Sequence, residues 1–206
     1  AVPQEFQSLQ VYTENCLAQV GRRGLLVLGQ QGGYIYPELA GKYSANDPTN
    51  ADGLDLEPIK VPYWHYNVLP NENPQVSYSS KKPALYQRDD PELSIESQLS
   101  RFTEENIAEC LADYQAFEAE GFVVNAPALE EGSEDLKKIT VTVADQSVNF
   151  WLKMDVEAAK GDAKTEMNQF YVPVPIRLKQ IYDTAAELAA VEKNHSFLEL
   201  QALDLL

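Results

Sequence analysis

The sequence predicts an α+β fold, with amphipathic helices packed on an antiparallel β-meander and a long Pro/Tyr-rich loop region. Three observations predict it. Apolar residues recur at three- and four-residue steps over 4–20 and again beyond residue 91. From residue 122 the period changes to two. Between the helical stretches, residues 37–91 hold eight of the twelve prolines. The chain divides on this reading into 1–89, a helix plus an irregular region, and 90–206, a helix, a meander and a closing helix. A disulfide would make the two parts one unit.

The first helix is read over 4–20, with Phe6, Leu9, Thr13, Cys16 and Val20 on one face. Gly21 and Gly24 offer its stop. The apolar run Leu25–Leu28 follows, then a turn at Gln30–Gly33 and a strand candidate at Tyr34–Tyr36. Proline fixes φ and removes a donor, so residues 37–91 are read as a long punctuated excursion. Short edge strands are expected near Ile59–Tyr66 and Gln75–Tyr78.

Asp90, Pro91 and Glu92 form a helix start: a capping acid, a proline in the first turn, and a glutamate suited to the dipole. The helix is expected to reach Glu120 and end at Gly121, with Leu99, Phe102, Asn106, Cys110, Tyr114 and Phe117 on one face. Phe122–Val124 reads as a strand. Ile139–Val143 and Val148–Met154 read as a hairpin about Ala144–Ser147. In its second strand Val148, Phe150, Leu152 and Met154 share one face, and Asn149, Trp151 and Lys153 the other. Gly161 and Asp162 mark a turn, and Phe170, Val172 and Val174 a further strand. The closing helix starts near Pro175, with Leu178, Ile181, Ala185, Leu188 and Leu198 at helical spacing. The opening Ala1-Val2-Pro3 reads as a processed start. The apolar stretch Leu198–Leu206 lacks a stop, so a longer natural chain is expected.

The chain has 206 residues, 44% of them hydrophobic, and a formal net charge of −16. Residues 1–90 carry ten acids and seven bases; residues 91–206 carry 22 acids and nine bases. No basic stripe is present to neutralise phosphates, which excludes nucleic acid as a partner. Binding to an anionic membrane surface is disfavoured for the same reason. No segment approaches the roughly 20 apolar residues that span a bilayer. Any membrane attachment must come from an anchor outside this chain.

The two cysteines are Cys16 and Cys110. Each sits on the apolar face of its own helix, so the two can meet where the helices pack. That favours a disulfide over a pair of buried thiols, and an oxidising, extracytoplasmic location.

Nucleophilic catalysis needs a nucleophile, a base and an orienting group. The only histidines are His65 and His195, and His195 reads as a surface residue. Zinc wants clustered histidines and thiolates, and two of each far apart make none. The best calcium candidate is Asp47, Asn50, Asp52 and Asp55 in an acidic loop. The register fails the EF-hand pattern, because Pro48 stands at the first ligand position and Ile59 at the twelfth. An acidic turn is the plainer reading, and no cofactor is expected. Tyr63, Trp64 and Tyr66 form the densest aromatic spot, suited to sugar or partner contacts. Pinning the long loop to the domain is the competing role. Acid pairs such as Glu130, Glu131, Glu134 and Asp135 lie on expected loops. Asn194-His195-Ser196 is a formal glycosylation sequon on an expected helix.

Further motifs follow in order: Tyr12 to Leu17 with Glu14, Asn15 and Cys16; Leu28 to Ile35; Pro62-Tyr63-Trp64; Glu96-Ser97-Gln98-Leu99. Then come Glu105 to Leu111, Gly121-Phe122, Val174 to Leu178, and Ile181-Tyr182. This order resembles a family of uncharacterised archaeal proteins, common in small-genome lineages, with one N-terminal membrane anchor and an exported domain. The similarity covers nearly the whole chain. Gly29 to Ile35 and the paired Cys-Leu motifs are its most specific parts. The resemblance implies an anchoring helix before Ala1, a domain continuing past Leu206, an extracytoplasmic location and a paired-cysteine scaffold. It implies no activity.

The leading expectation is a non-enzymatic cell-surface or filament protein that contacts itself, other surface proteins or glycans. The alternatives are an exported glycan-acting hydrolase, with two acids from the 122–175 sheet or the 47–57 loop about 5–9 Å apart across a cleft, and a calcium-dependent binding module at 47–57.

Overall fold

The computed structural model describes residues 2–68, 77–129 and 136–195. The expectations for Gln75, Glu130, Glu131, Glu134, Asp135, Ser196 and Leu198–Leu206 lie outside the described residues.

The fold is α+β, with helices set against antiparallel sheet. A single 3-10 turn at Gln4–Phe6 leads into helix α1, Gln7–Gln30. The helix does not stop at Gly21 or Gly24. Leu17, Val20, Gly21, Gly24, Leu25 and Leu28 continue the buried face at helical spacing. The two glycines serve close packing instead. A Cβ at position 21 would lie 2.7 Å from Cζ of Phe150, and one at position 24 would lie 2.9 Å from Cδ1 of Phe102. The turn at Gln30–Gly33 forms as expected, with Gly32 and Gly33 at positive φ.

Tyr34–Tyr36 is not a strand. The backbone N–H groups of Ile35 and Tyr36 donate to Oε1 of the buried Gln98, so no ladder partner is needed. The Pro/Tyr-rich region holds two small hairpins. Strands β1, Gly53–Leu56, and β2, Ile59–Pro62, pair about a cis Glu57–Pro58 turn. Strands β3, Tyr66–Asn67, and β4, Tyr78–Ser79, make the second pair.

Helix α2 spans Ile95–Leu111, shorter at both ends than the periodicity predicts. Asp90 does cap, but it caps a turn: its carboxylate accepts the N–H groups of Glu92 and Leu93. The helix proper is capped by the Ser94 hydroxyl, which accepts Ser97 N–H. Its far end is set by Tyr12. That hydroxyl donates to the carbonyls of Cys110 and Leu111, acceptors a continuing helix would use. Ala112 and Tyr114 then take left-handed conformations. The break swings Tyr114 of a 3-10 turn, Ala112–Tyr114, and Phe117 of the short helix α3, Gln115–Glu118, into an aromatic cluster with Phe6, Tyr12 and Phe122.

The main sheet has a central strand β7, Val148–Lys160. Strand β8, Ala163–Val174, pairs along it through the two-residue turn Gly161-Asp162. The other side of β7 is shared end to end by β6, Lys137–Val143, and β5, Phe122–Asn125. The expected hairpin is present, with Val143 opposite Val148. Val148, Phe150, Leu152, Met154, Val156 and Ala158 all point inward and are buried. One continuous core joins them to α1, α2 and the aromatic cluster.

Helix α2 lies along the free edge of β6. Glu96, Ser100 and Glu104 accept the N–H groups of Val143, Val141 and Ile139. The closing helix α4, Leu178–His195, does not bury the predicted stripe. Leu178 is buried, but Ile181 and Leu188 are at least half exposed. The inward side is instead that of Tyr182, whose ring meets Trp64 at 5.5 Å and whose hydroxyl donates to Pro83 O.

Candidate binding surface

The Cys16–Cys110 disulfide is formed, joining α1 and α2 at a Cα separation of 5.6 Å. Cys16 is buried and Cys110 half-buried. Amphipathic spacing brought both to the helix interface, and the α1–α2 packing does the rest. Among the described residues, no helix is long and apolar enough to cross a membrane.

Tyr63, Trp64 and Tyr66 are half-buried and their polar tips are engaged inside the chain. Trp64 Nε1 donates to Gly32 O at 2.7 Å. The Tyr63 hydroxyl donates to Pro48 O, and the Tyr66 hydroxyl donates to Asp52. These contacts tie the small hairpins to the end of α1 and to α4.

The acidic loop residues go different ways. Asp47 accepts from the backbone and side-chain nitrogens of Asn50, closing a 3-10 turn. Asp52 accepts Lys42 N–H at 2.9 Å and the Tyr66 hydroxyl, with Lys81 at 3.5 Å. The Lys42 N–H leads these in holding the Asp52 carboxyl below the usual range. Asp55 stands opposite Lys60 in the β1–β2 hairpin, and its Oδ1 is buried without a hydrogen-bond partner. Among the described residues no group of three or more His, Cys, Asp or Glu side chains is placed to hold a metal ion.

The outer face of the main sheet carries a different constellation. Trp151 on β7 and Tyr171 on β8 are cross-strand partners. Their ring centroids are 4.2 Å apart, and they remain 46% and 37% exposed. The Tyr171 hydroxyl donates to Oδ1 of Asn149 at 3.2 Å, and the Ser147 hydroxyl donates to the same atom. Strand register builds three rows across β6, β7 and β8: Thr142, Asn149 and Pro173; Thr140, Trp151 and Tyr171; Lys138, Lys153 and Gln169. Beyond Lys153 a register shift interrupts the β7–β8 ladder. Sequence alternation had already set Trp151 beside Asn149 and Lys153 on the polar face. A large aromatic on that face was the signal. Its partner Tyr171 was hidden because β8 needed the register to be placed.

An open groove of about 850 Å³ borders this face. Glu92, Arg101, Glu104, Lys138 and Thr140 line it. Arg101 is paired with Glu105 at 2.8 Å and lies over the Tyr36 ring. Glu104 is committed to the β6 edge. No family model, curated protein or solved structure matches the chain.

Proposed function

We propose that this chain is a non-enzymatic extracytoplasmic protein of the cell surface, or of a surface filament, that contacts proteins or glycans. The observation that carries the reading is the outer sheet face, where Trp151 and Tyr171 stay exposed on a strongly acidic domain. Large aromatics held at a surface among hydrogen-bonding side chains suit recognition. The Cys16–Cys110 bridge supports an oxidising compartment. Membrane attachment through an anchor outside these residues, as in the archaeal exported domains the sequence resembles, belongs to the same proposal.

The test is saturable retention of the oxidised protein on envelope fragments of its source cells, read by co-sedimentation. Retention competed by unlabelled protein is the expected result. No retention, together with a monomer at high concentration, would overturn the reading.

A glycan-acting hydrolase is the second reading, supported by the open groove that Glu92 lines. It requires release of reducing ends from a polysaccharide, lost in Glu92→Gln.

A further inference from the structure

We infer that the outer face of β6, β7 and β8 binds a sparsely charged acidic glycan, one sugar ring lying over Trp151 and Tyr171 and its anionic group held by Lys138 and Lys153. The inference rests on the contact reading above and names the partner chemistry.

The rings come first. A pyranose presents an apolar C–H face and a rim of hydroxyls. The exposed Trp151–Tyr171 pair offers a matching apolar surface at the middle of the three rows. Thr140, Asn149 and Gln169 surround it with hydroxyl and amide groups that suit the rim. Rows two residues apart on a strand are separated by about 6.8 Å and neighbouring strands by about 4.8 Å. Lys153 therefore stands one row from Trp151, within reach of a substituent on the stacked sugar.

The charge comes second. Lys138 and Lys153 face each other directly across the β6–β7 ladder, and both are exposed. Like charges in that position repel. Neither has an ion-pair partner among the described residues. On a chain of net charge −16, two adjacent unneutralised cations beside exposed aromatics form a local anion site. Of the acids on the same face, Glu157 and Glu166 lie beyond the register shift, and Asp155 stands within it, two residues along β7 from Lys153.

The same charges select among occupants. A second copy of this chain would bring a like net charge to the face. A dense polyanion would meet repulsion from the whole domain. A glycan with an occasional acid meets chiefly the two lysines, set against the single nearby carboxylate of Asp155, because charges beyond about 8–10 Å are screened at physiological salt. Uronate and sulfate share the required chemistry.

Calorimetric titration of the oxidised chain tests this with three tetrasaccharides: one bearing a single uronate, one bearing a single sulfate, and the neutral parent. One or both acidic probes should bind at least about tenfold tighter than the parent, a step that two short-range charges can supply. Trp151→Ala should weaken binding about tenfold or more. Lys138→Gln combined with Lys153→Gln should bring acidic and neutral probes to the same affinity. Melting of each variant reports that the fold is kept. Absence of binding to all three probes, equal affinity for all three, or binding unchanged in Trp151→Ala overturns the inference, as does a Trp151-dependent dimer without glycan binding. If wild type and Trp151→Ala are retained equally on envelopes, this inference fails while the contact reading stands.

Discussion

The carboxylate of Glu104 accepts the backbone N–H of Ile139 at 2.7 Å. It is the last of three such contacts, with Ser100 on Val141 at 3.1 Å and Glu96 on Val143 at 2.8 Å. The spacing has a simple cause. Four residues of helix rise about 6 Å, and two residues of strand advance about 6.8 Å. Side chains at every fourth position of α2 therefore meet every second N–H of an antiparallel-running β6. An unpaired strand edge is a template for aggregation, and here acceptors on a helix cover it. Glu96 also accepts Gln87 N–H, so it serves two donors. Glu96→Ala should destabilise by about 2–4 kcal/mol, because buried donors lose their acceptor. Glu104→Ala and Ser100→Ala should each cost about 1–2 kcal/mol. Denaturant melts measure the first effect, and light scattering at equal protein concentration should rise in the order of edge exposure.

The disulfide links residues 94 apart in sequence. Closing a loop of that length constrains the unfolded chain by about 4–5 kcal/mol in the chain-entropy model. Reduction, or Cys16→Ser with Cys110→Ser, should lower Tm by roughly 9–18 °C for a chain of this size. A change below a few degrees would show that the unfolded state keeps the two helices together.

Gly21 and Gly29 should respond oppositely to alanine. At position 21 the new methyl meets the buried Phe150 ring, and overpacking costs about 1–3 kcal/mol. At position 29 nothing lies within 4 Å and the site is exposed. Gly29→Ala should stabilise by about 0.5–1 kcal/mol through helix propensity. Paired chemical melts decide both signs.

Burial pushes the Tyr114 and Tyr34 hydroxyls up to about 12. The Thr13 hydroxyl donates to Leu9 O, so the Tyr114 hydroxyl is the donor in their 2.8 Å bond. The fold therefore prefers both phenols neutral. Their contribution is fully present below the ordinary tyrosine value near 10 and is lost as pH rises from about 10 to about 12. Alkaline unfolding followed by circular dichroism should fall in that window. Tyr114→Phe should move the transition to higher pH while lowering Tm at neutral pH by the loss of one hydrogen bond. An unchanged alkaline midpoint would contradict the assignment.

Two of the loop acids, Asp47 and Asp52, already have protein partners. Asp47 and Asn50 bond each other, and Asp52 is taken by Lys42, Tyr66 and Lys81. Tm should therefore be the same in calcium and in chelator. A rise with calcium would reassign 47–57 to metal binding through the unpartnered Asp55 oxygen.

Much of the fold was legible because periodicity reports burial. The β6–β7 hairpin, its inward face, the β8 strand and the meeting of the two cysteines all follow from spacing. What escaped depended on partners distant in sequence. Gly21 and Gly24 read as a stop until Phe150 and Phe102 are placed against them. The α2 end depends on a tyrosine 98 residues earlier taking Cys110 O. Tyr34–Tyr36 has strand composition, yet a glutamine side chain supplies its acceptor. The aromatic surface divides the same way: Trp151 shows in the alternation, while its pairing with Tyr171 needs the ladder.

An oxidised link joins α1 and α2, and the proposed function requires that it form outside the reducing cytosol. Source cells lysed in excess alkylating reagent, followed by peptide mapping, test it directly. One cross-linked species containing Cys16 and Cys110 is expected; both cysteines recovered as separate alkylated peptides would contradict an oxidised link.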